Sequence, residues 1–353
     1  MTNQIKEIVN KEKFRNKIRI EVFKSILKNN LNIKKEKILI IGDKGYQNNL
    51  LSPILTNAYS LAAEELGLDY ETVYQNFKGR GDVADKIVIE KLKMLPRKSV
   101  LIINISNRIG SLDTVGLSFR KFAKDKEHRF ISSSSLGFIS NSKLPFIIDC
   151  LDIDYKEMKK KTETLRKIIS KAKIIHVSNK AGTDLTYNVE GIEAKSATGI
   201  YRNPGEGGNL PGSEVYTAPN GNKINGIIAI DGSIRVKNKT ILINSVVKLT
   251  IENGRIVKIN KTPEAKILEA TLMWAHNKAK NPDGVWKIGE LGIGLNKKAK
   301  IIGSTIIDEK TYGTVHFAIG SNSWFGGKIK SIIHLDQVIK NPTIKVDGKF
   351  LDY

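Results

Sequence analysis

The chain has 353 residues, 58 of them Lys or Arg against 36 Asp or Glu, which gives a formal charge of +22 and a pI near 9.7. Charged residues at 27% and hydrophobic ones at 40% suit a globular protein and exclude a disordered one, and the length allows two domains with a core each. The single cysteine, Cys150, excludes an intrachain disulfide and any Cys-rich zinc module, so a bound metal must take nitrogen and oxygen ligands. No apolar run nears the roughly 18 residues of a membrane span, and the charged N-terminus lacks a signal-peptide core, which predicts a cytoplasmic protein with no membrane partner. The positive charge alone would point to nucleic acid. However, the lysines are spread along the whole chain without an arginine-rich block or interleaved aromatics, so no nucleic-acid partner is expected.

Residues 1 to about 36 place Ile5, Ile8, Val9, Phe14, Ile18, Val22, Phe23 and Ile26 mostly three or four apart, the spacing of an amphipathic helix that packs on its own domain. From residue 37 the pattern alternates. Residues 37–42 read as a buried strand, 50–66 as a helix, 70–74 as a strand, 84–95 as a helix, 99–105 as a strand, 115–122 as a helix and 129–134 as a strand. Strands alternating with helices predict an α/β N-terminal domain with a mostly parallel sheet, set at 1–172 and closed by a basic helix over 154–173. Gly79-Arg-Gly81-Asp82 fits a loosened dinucleotide fingerprint, but it does not open the first strand-to-helix turn. A sharp turn with helix entry at Asp82 explains the same residues.

The texture then changes. Residues 174–178, 184–187, 226–230, 241–249 and 255–259 read as short strands, with Asp231-Gly-Ser and Glu252-Asn-Gly-Arg as hairpin turns and a helix over 262–278. These predict an α+β C-terminal domain over 173–353 that carries the chemistry. Its sharpest feature is His334-Leu-Asp336 in an Ile- and Val-rich run over 331–338. On a strand, residues two apart project from one face, so the imidazole and the carboxylate point the same way, and burying a carboxylate without a partner is costly. His316 lies in a second apolar run and completes a set of two His and one carboxylate, which zinc hydrolases and non-haem iron enzymes both use. Each His taken singly also reads as a hydrogen-bonded core residue. Glu214, after the Pro-Gly turn in Asn209-Leu-Pro-Gly-Ser-Glu214, sits at a strand start, where a bridging ligand or a solvent-facing carboxylate fits equally. His176 reads as core or cleft, Asp184 as a turn cap or a ligand-orienting group, and His128 and His276 as surface residues. Ser134 and Cys150 have no base beside them in sequence, so nucleophilic catalysis is not expected.

Taken in order, Gly182-Thr-Asp-Leu185, Asn209-Leu-Pro-Gly-Ser-Glu214, Ile288-Gly-Glu290-Leu-Gly-Ile-Gly-Leu-Asn296, Asp308-Glu-Lys310, Gly313-Thr-Val-His316-Phe-Ala-Ile-Gly320 and His334-Leu-Asp336 closely resemble the thermophilic metallo-aminopeptidases of the aminopeptidase T and aminopeptidase S type. The resemblance covers roughly residues 175–353. It implies that Glu214, Glu290, His316, His334 and Asp336 bind two divalent metals, zinc foremost with cobalt or manganese as alternatives. It also implies a homodimer that removes N-terminal residues from small peptides or related amides. In such a centre two cations share a water whose pKa falls toward neutrality, and a carboxylate is wanted to shuttle the proton; Glu309 is the candidate.

Two departures stand out. Glu309 lies seven positions before His316, whereas those enzymes carry the acidic residue close before that His. They also carry a Tyr shortly after it, where this chain reads Gly320-Ser-Asn-Ser-Trp-Phe325; Tyr312 is the available substitute. The alternative reading on the same fold is a mononuclear non-haem iron dioxygenase of the dihydroxypyridine ring-opening type, using two His and one Asp, with Trp324 and Phe325 lining a pocket for a flat ring. Glu214 and Glu290 weigh against it as surplus acids. A third reading is a metal-binding relic that serves only dimerisation or binding.

Overall fold

A computed structural model describes residues 18–115 and 118–353. The expected N-terminal helix therefore falls largely outside the described residues; within them Ile20–Ser25 (α1) is helical and continues through a wider turn to Asn30. The chain folds as two compact units, one up to Tyr155 together with Gly199–Gly212, the other Lys156–Thr198 together with Ser213–Tyr353. No described helix is long and apolar enough to cross a membrane.

The first unit holds a parallel sheet. Ile38–Asp43 (β1), Tyr70–Gln75 (β2), Val100–Asn104 (β3) and Arg129–Ser133 (β4) pair in parallel, and the later strand Gly207–Asn209 adds to β4, giving the order β2, β1, β3, β4 and then 207–209. Every residue of β1 and β3 is buried, as expected where helices cover both faces of a parallel sheet. Helices Leu51–Glu65 (α2), Lys86–Met94 (α3) and Phe119–Asp125 (α4) connect the strands, and Ser118 caps the last by accepting a hydrogen bond from the Lys121 amide. Asp82 turns the chain by accepting from the Gly79 amide. Helix α3 is entered three residues later than the sequence suggests, at Asp85. His128 is fully buried against Phe122 rather than on the surface.

The second unit is built on antiparallel sheets. Helix Tyr155–Lys171 (α5) leads into strands Ile174–Ser178 (β5), Asp184–Asn188 (β6) and Lys195–Ala197 (β7). Labelling Gly207–Asn209 as β8 in chain order, the next are Glu214–Thr217 (β9), Ile224–Ile230 (β10), Ser233–Arg235 (β11), Thr240–Leu242 (β12), Val247–Glu252 (β13) and Arg255–Ile259 (β14). Then come helix Pro263–Lys278 (α6), strand Ile288–Gly294 (β15), helix Thr305–Asp308 (α7), and strands Thr314–Gly320 (β16), His334–Lys340 (β17), Thr343–Val346 (β18) and Lys349–Phe350 (β19). One sheet runs β14-β13-β10-β6-β5-β18-β19 and the other β12-β11-β17-β16-β15-β9-β7.

Asn253 and Gly254, at φ +50° and +76°, close the β13–β14 hairpin as an Asn-Gly turn should. Asp231-Gly232 does not close a hairpin. Instead it carries the chain from the first sheet to the second, because the Gly232 amide donates to the Val338 carbonyl at 3.0 Å and a Cβ there would lie 2.7 Å from that oxygen. Between the sheets lies the core. Tyr187 of β6 faces Phe317 of β16 with ring centroids 6.5 Å apart, and Phe317 pairs with Leu291 and Gln337 across the strands. Strand alternation therefore turns His316, one residue away, to the opposite face.

Candidate metal centre

Register alone assembles the pocket on that opposite face. Ala318 pairs with Asp336, Gly320 with His334 and His316 with Val338, while Gly292 pairs with His316 and Glu290 with Ala318, and Gly294 pairs with Glu214. Residues directly across neighbouring strands share a face, so Glu214, Glu290, His316, His334 and Asp336 project from one side of β9, β15, β16 and β17. A β-bulge between Ile288 and Glu290 sets the phase. With regular alternation through Gly289, Glu290 would share the face of Ile288, which lies opposite Ile319 in the core; the bulge at Gly289 turns it to the pocket. Gly292 leaves room for the imidazole, since a Cβ on it would come within 2.1 Å of His316 Nε2.

The five side chains meet. Glu290 Oε1 is 3.3 Å from His316 Nε2 and Glu290 Oε2 is 3.4 Å from His334 Nε2. Asp336 Oδ1 lies 3.2 Å from His334 Nε2, and Glu214 Oε2 lies 3.6 Å from His316 Nε2. Glu309, carried by the turn after α7, enters the same pocket. Glu290, His334 and Asp336 form one set with ligand atoms mutually within 4.8 Å, and Glu309, His316 and Asp336 form another. His334 Nδ1 donates to the Ser321 carbonyl at 2.8 Å, which fixes the tautomer and leaves Nε2 to serve as a ligand. Glu214 Oε2 is buried with no hydrogen-bond partner beside the Nε2 of His316, and these nitrogen and oxygen donors together fit a metal ion.

Charge in the pocket is high. Burial disfavours charge on His316, yet its hydrogen bond to Glu290 and the charges of Glu214, Glu290 and Asp336 raise its pKa to about 9. Burial likewise opposes charge on His334, and Asp336 and Glu290 outweigh it, bringing the pKa to about 10. Burial would raise Asp336, but His334 holds it well below the usual carboxylate range. Glu309 is pushed up to about 8, mainly by burial.

The sequence reading missed one member of the pocket. Lys310, 1% exposed, places Nζ 2.5 Å from Glu214 Oε1 and 2.6 Å from Glu309 Oε1. Its sequence signal is its place in Asp308-Glu-Lys310, where the resemblance assigns the lysine no role. A dinuclear zinc centre using Glu214 finds no support here, since one of its carboxylate oxygens already serves an ammonium. Tyr312 does not stand in for the aminopeptidase Tyr either. Its ring is 42% exposed and its hydroxyl donates to the Tyr353 carbonyl.

Beside the pocket, Ser323–Phe325 forms a 3-10 turn. Trp324, half exposed, stands edge-on to His334 with ring centroids 4.7 Å apart, and buried Phe325 packs against Tyr216 at 5.2 Å. Asn322 anchors the turn, donating to the Gly289 carbonyl and accepting from the Ile329 amide. The remaining candidates lie elsewhere. His176 pairs with exposed Asp184 at 2.7 Å on β5 and β6, and His276 accepts from the Trp286 indole. Asp308, fully buried, accepts from Ser233 and from the amides of Ile302 and Gly303, which fixes the loop leading into α7.

A sequence model of the family described as 2,5-dihydroxypyridine 5,6-dioxygenase (NicX) matches residues 151–351. A curated 2,5-dihydroxypyridine 5,6-dioxygenase from Pseudomonas putida is 28% identical over 192 residues, 52% of this chain and 53% of that one, so the match spans about half the relative's length. Among solved structures, the 2,5-dihydroxypyridine dioxygenase from Pseudomonas putida aligns over 94% of both chains with a TM-score of 0.71 at 17% identity. Wild-type AmpT from Thermus thermophilus aligns over 94% of this chain and 96% of its own, with a TM-score of 0.62 at 16% identity. At such identities the two structures speak for the fold alone. The aminopeptidase, and with it the hydrolase and metalloprotease reading, is thus overturned: the likeness to AmpT reaches the fold, whereas family model and curated relative both carry a dioxygenase description. The chain belongs to the 2,5-dihydroxypyridine 5,6-dioxygenase (NicX) family.

Proposed function

We propose that the protein is a metal-dependent dioxygenase that opens the ring of a dihydroxypyridine, with one iron ion held by His334, Asp336 and Glu290 beside His316. One observation carries this reading: two imidazoles and two carboxylates converge on a single pocket while Lys310 occupies the remaining acids. That leaves a nitrogen and oxygen donor set suited to one non-haem iron. Bound there, iron would supply the redox centre at which dioxygen and a hydroxylated ring are brought together. The chain's own residues do the rest. Trp324 offers an indole beside His334 against which a flat heterocycle stacks, and Phe325, packed on Tyr216, limits the space behind it. Glu309, whose burial raises its carboxyl in the metal-free pocket, is placed to take and return a proton of a ring hydroxyl.

Oxygen uptake decides the matter. Protein reconstituted with iron(II) is expected to consume dioxygen in step with loss of the ring absorbance of 2,5-dihydroxypyridine, and to leave aminoacyl amides intact. Amide hydrolysis without oxygen uptake would sink the proposal.

Metal loading should also release protons. In the metal-free protein His316 (about 9) and His334 (about 10) are protonated at pH 7, and a metal binds only neutral imidazole. Both pKa values are raised in the fold, so the stability these imidazolium groups contribute is complete below about pH 6.5 and is lost as pH rises through 9 to 10. Metal affinity runs the other way and rises over that window. Calorimetry in buffers of differing ionisation enthalpy at pH 7 should detect at least about one proton released per metal, from His334; release of none would show that this imidazole is not a ligand.

A further inference from the structure

We propose that Lys310 is a built-in second cation, which takes the place of a second metal ion and so fixes the number of metals in the pocket at one. The inference rests on reading this pocket as a metal centre. The two candidate ligand sets, Glu290-His334-Asp336 and Glu309-His316-Asp336, share Asp336. Adjacent cation sites that share a carboxylate are the arrangement of two-metal centres, whose ions stand about 3.5 to 4 Å apart. Here the second set is already compensated: the ammonium of Lys310 bonds Glu309 at 2.6 Å and Glu214 at 2.5 Å. Glu214 turns its other oxygen to His316, so Lys310 and the imidazole flank one carboxylate.

Charge decides the count. The pocket holds four acids, Glu214, Glu290, Glu309 and Asp336, each less than a tenth exposed. Lys310 with one divalent ion brings three positive charges against those four negative ones. A second divalent ion would bring five, and it would have to sit beside an ammonium that already holds two of its carboxylate ligands, Glu214 and Glu309. The lysine cannot slide away either. The Asn296 amide donates to the Lys310 carbonyl at 2.7 Å, and the Lys310 amide donates to the Ile307 carbonyl at 3.1 Å. Gly294 lets this segment lie close on β15, since a Cβ there would be 2.8 Å from the Lys310 carbonyl carbon. The backbone that carries the ammonium is thus pinned, and the ammonium is on its two carboxylates before any metal arrives.

The test counts manganese. Chelator-treated protein is loaded with Mn2+ alone, freed of excess by gel filtration, and measured by elemental analysis and electron paramagnetic resonance. Wild type is expected to hold about one Mn2+, and Lys310→Met about two with an exchange-coupled signal. Lys310→Met leaves two buried acids without their cation, so it is expected to fold fully only when Mn2+ is present. The triple variant K310M/E214Q/E309Q, with those charges removed together, should fold without metal and hold one ion. One Mn2+ in both wild type and Lys310→Met overturns the role of Lys310 and leaves the single-metal pocket standing. Failure of Lys310→Met to fold in Mn2+ while the triple variant folds also overturns it, as does a wild type that binds two. No Mn2+ in wild type removes the metal centre itself and this inference with it.

Discussion

His334→Ala is expected to strip the pocket of metal and to lower activity more than about 100-fold, because loss of a mere supporting hydrogen bond to a ligand already costs about 10- to 100-fold. Three contacts focus on this imidazole: Glu290 Oε2 at 3.4 Å, Asp336 Oδ1 at 3.2 Å and the Ser321 carbonyl at 2.8 Å. The last fixes the ring, so its loss cannot be made good by a water without the same anchoring. The fold should survive. His334 opens β17 with its side chain about a quarter exposed, so truncation leaves a hole that water can fill rather than a dry cavity. In the metal-free variant Asp336 loses the group that holds its carboxyl below the usual range, and its pKa should climb. Elemental analysis and circular dichroism check both halves of the expectation. His176→Ala serves as the control, because the exposed His176–Asp184 pair on β5 and β6 should leave metal content untouched. A His334→Ala protein that keeps its metal at wild-type affinity would eliminate the pocket as drawn.

How far the sequence could be read divides by range. The strands β1 and β3 announce themselves as unbroken apolar runs because both their faces are covered, and α6 by Pro263 in its first turn with Thr262 capping the Ala265 amide. The His334-x-Asp336 pair was legible for the same local reason: a period of two needs no knowledge of neighbours. What failed needed a neighbour. Asp231-Gly232-Ser233 carries hairpin residues, yet whether the chain folds back or crosses to another sheet depends on Val338, more than a hundred residues away. Glu290 is named by the resemblance and not by alternation, because it reaches the pocket only through the bulge at Gly289. Lys310 is the costliest omission. Glu214 and Glu290 read as ligands for a second metal as long as the ammonium beside Glu214 is out of sight, and that choice carried the hydrolase assignment with it. The five side chains do meet in one pocket; their charge balance could not be drawn up without the lysine.

Gly292→Ala should do nearly as much damage without removing any polar atom. Gly292 lies opposite His316 on one side and Tyr216 on the other, in a strand paired along both edges, so its backbone has no direction in which to retreat. A Cβ would stand 2.1 Å from His316 Nε2 and 2.2 Å from Cε1, far inside any tolerable contact. The imidazole must therefore swing, and it is 1% exposed and bounded by Glu290 Oε1 at 3.3 Å and Glu214 Oε2 at 3.6 Å. Overpacking of this kind costs about 1–3 kcal/mol, which should appear as a lower Tm, and the displaced nitrogen should weaken metal retention at least about tenfold. A double-mutant cycle separates the two causes. In a His316→Ala background the added methyl meets open space, so Gly292→Ala should then cost little stability, while metal retention stays poor in both. If the loss in Tm were the same with and without His316, the strand itself would be the source of the strain, and Gly292 would have no part in seating the imidazole.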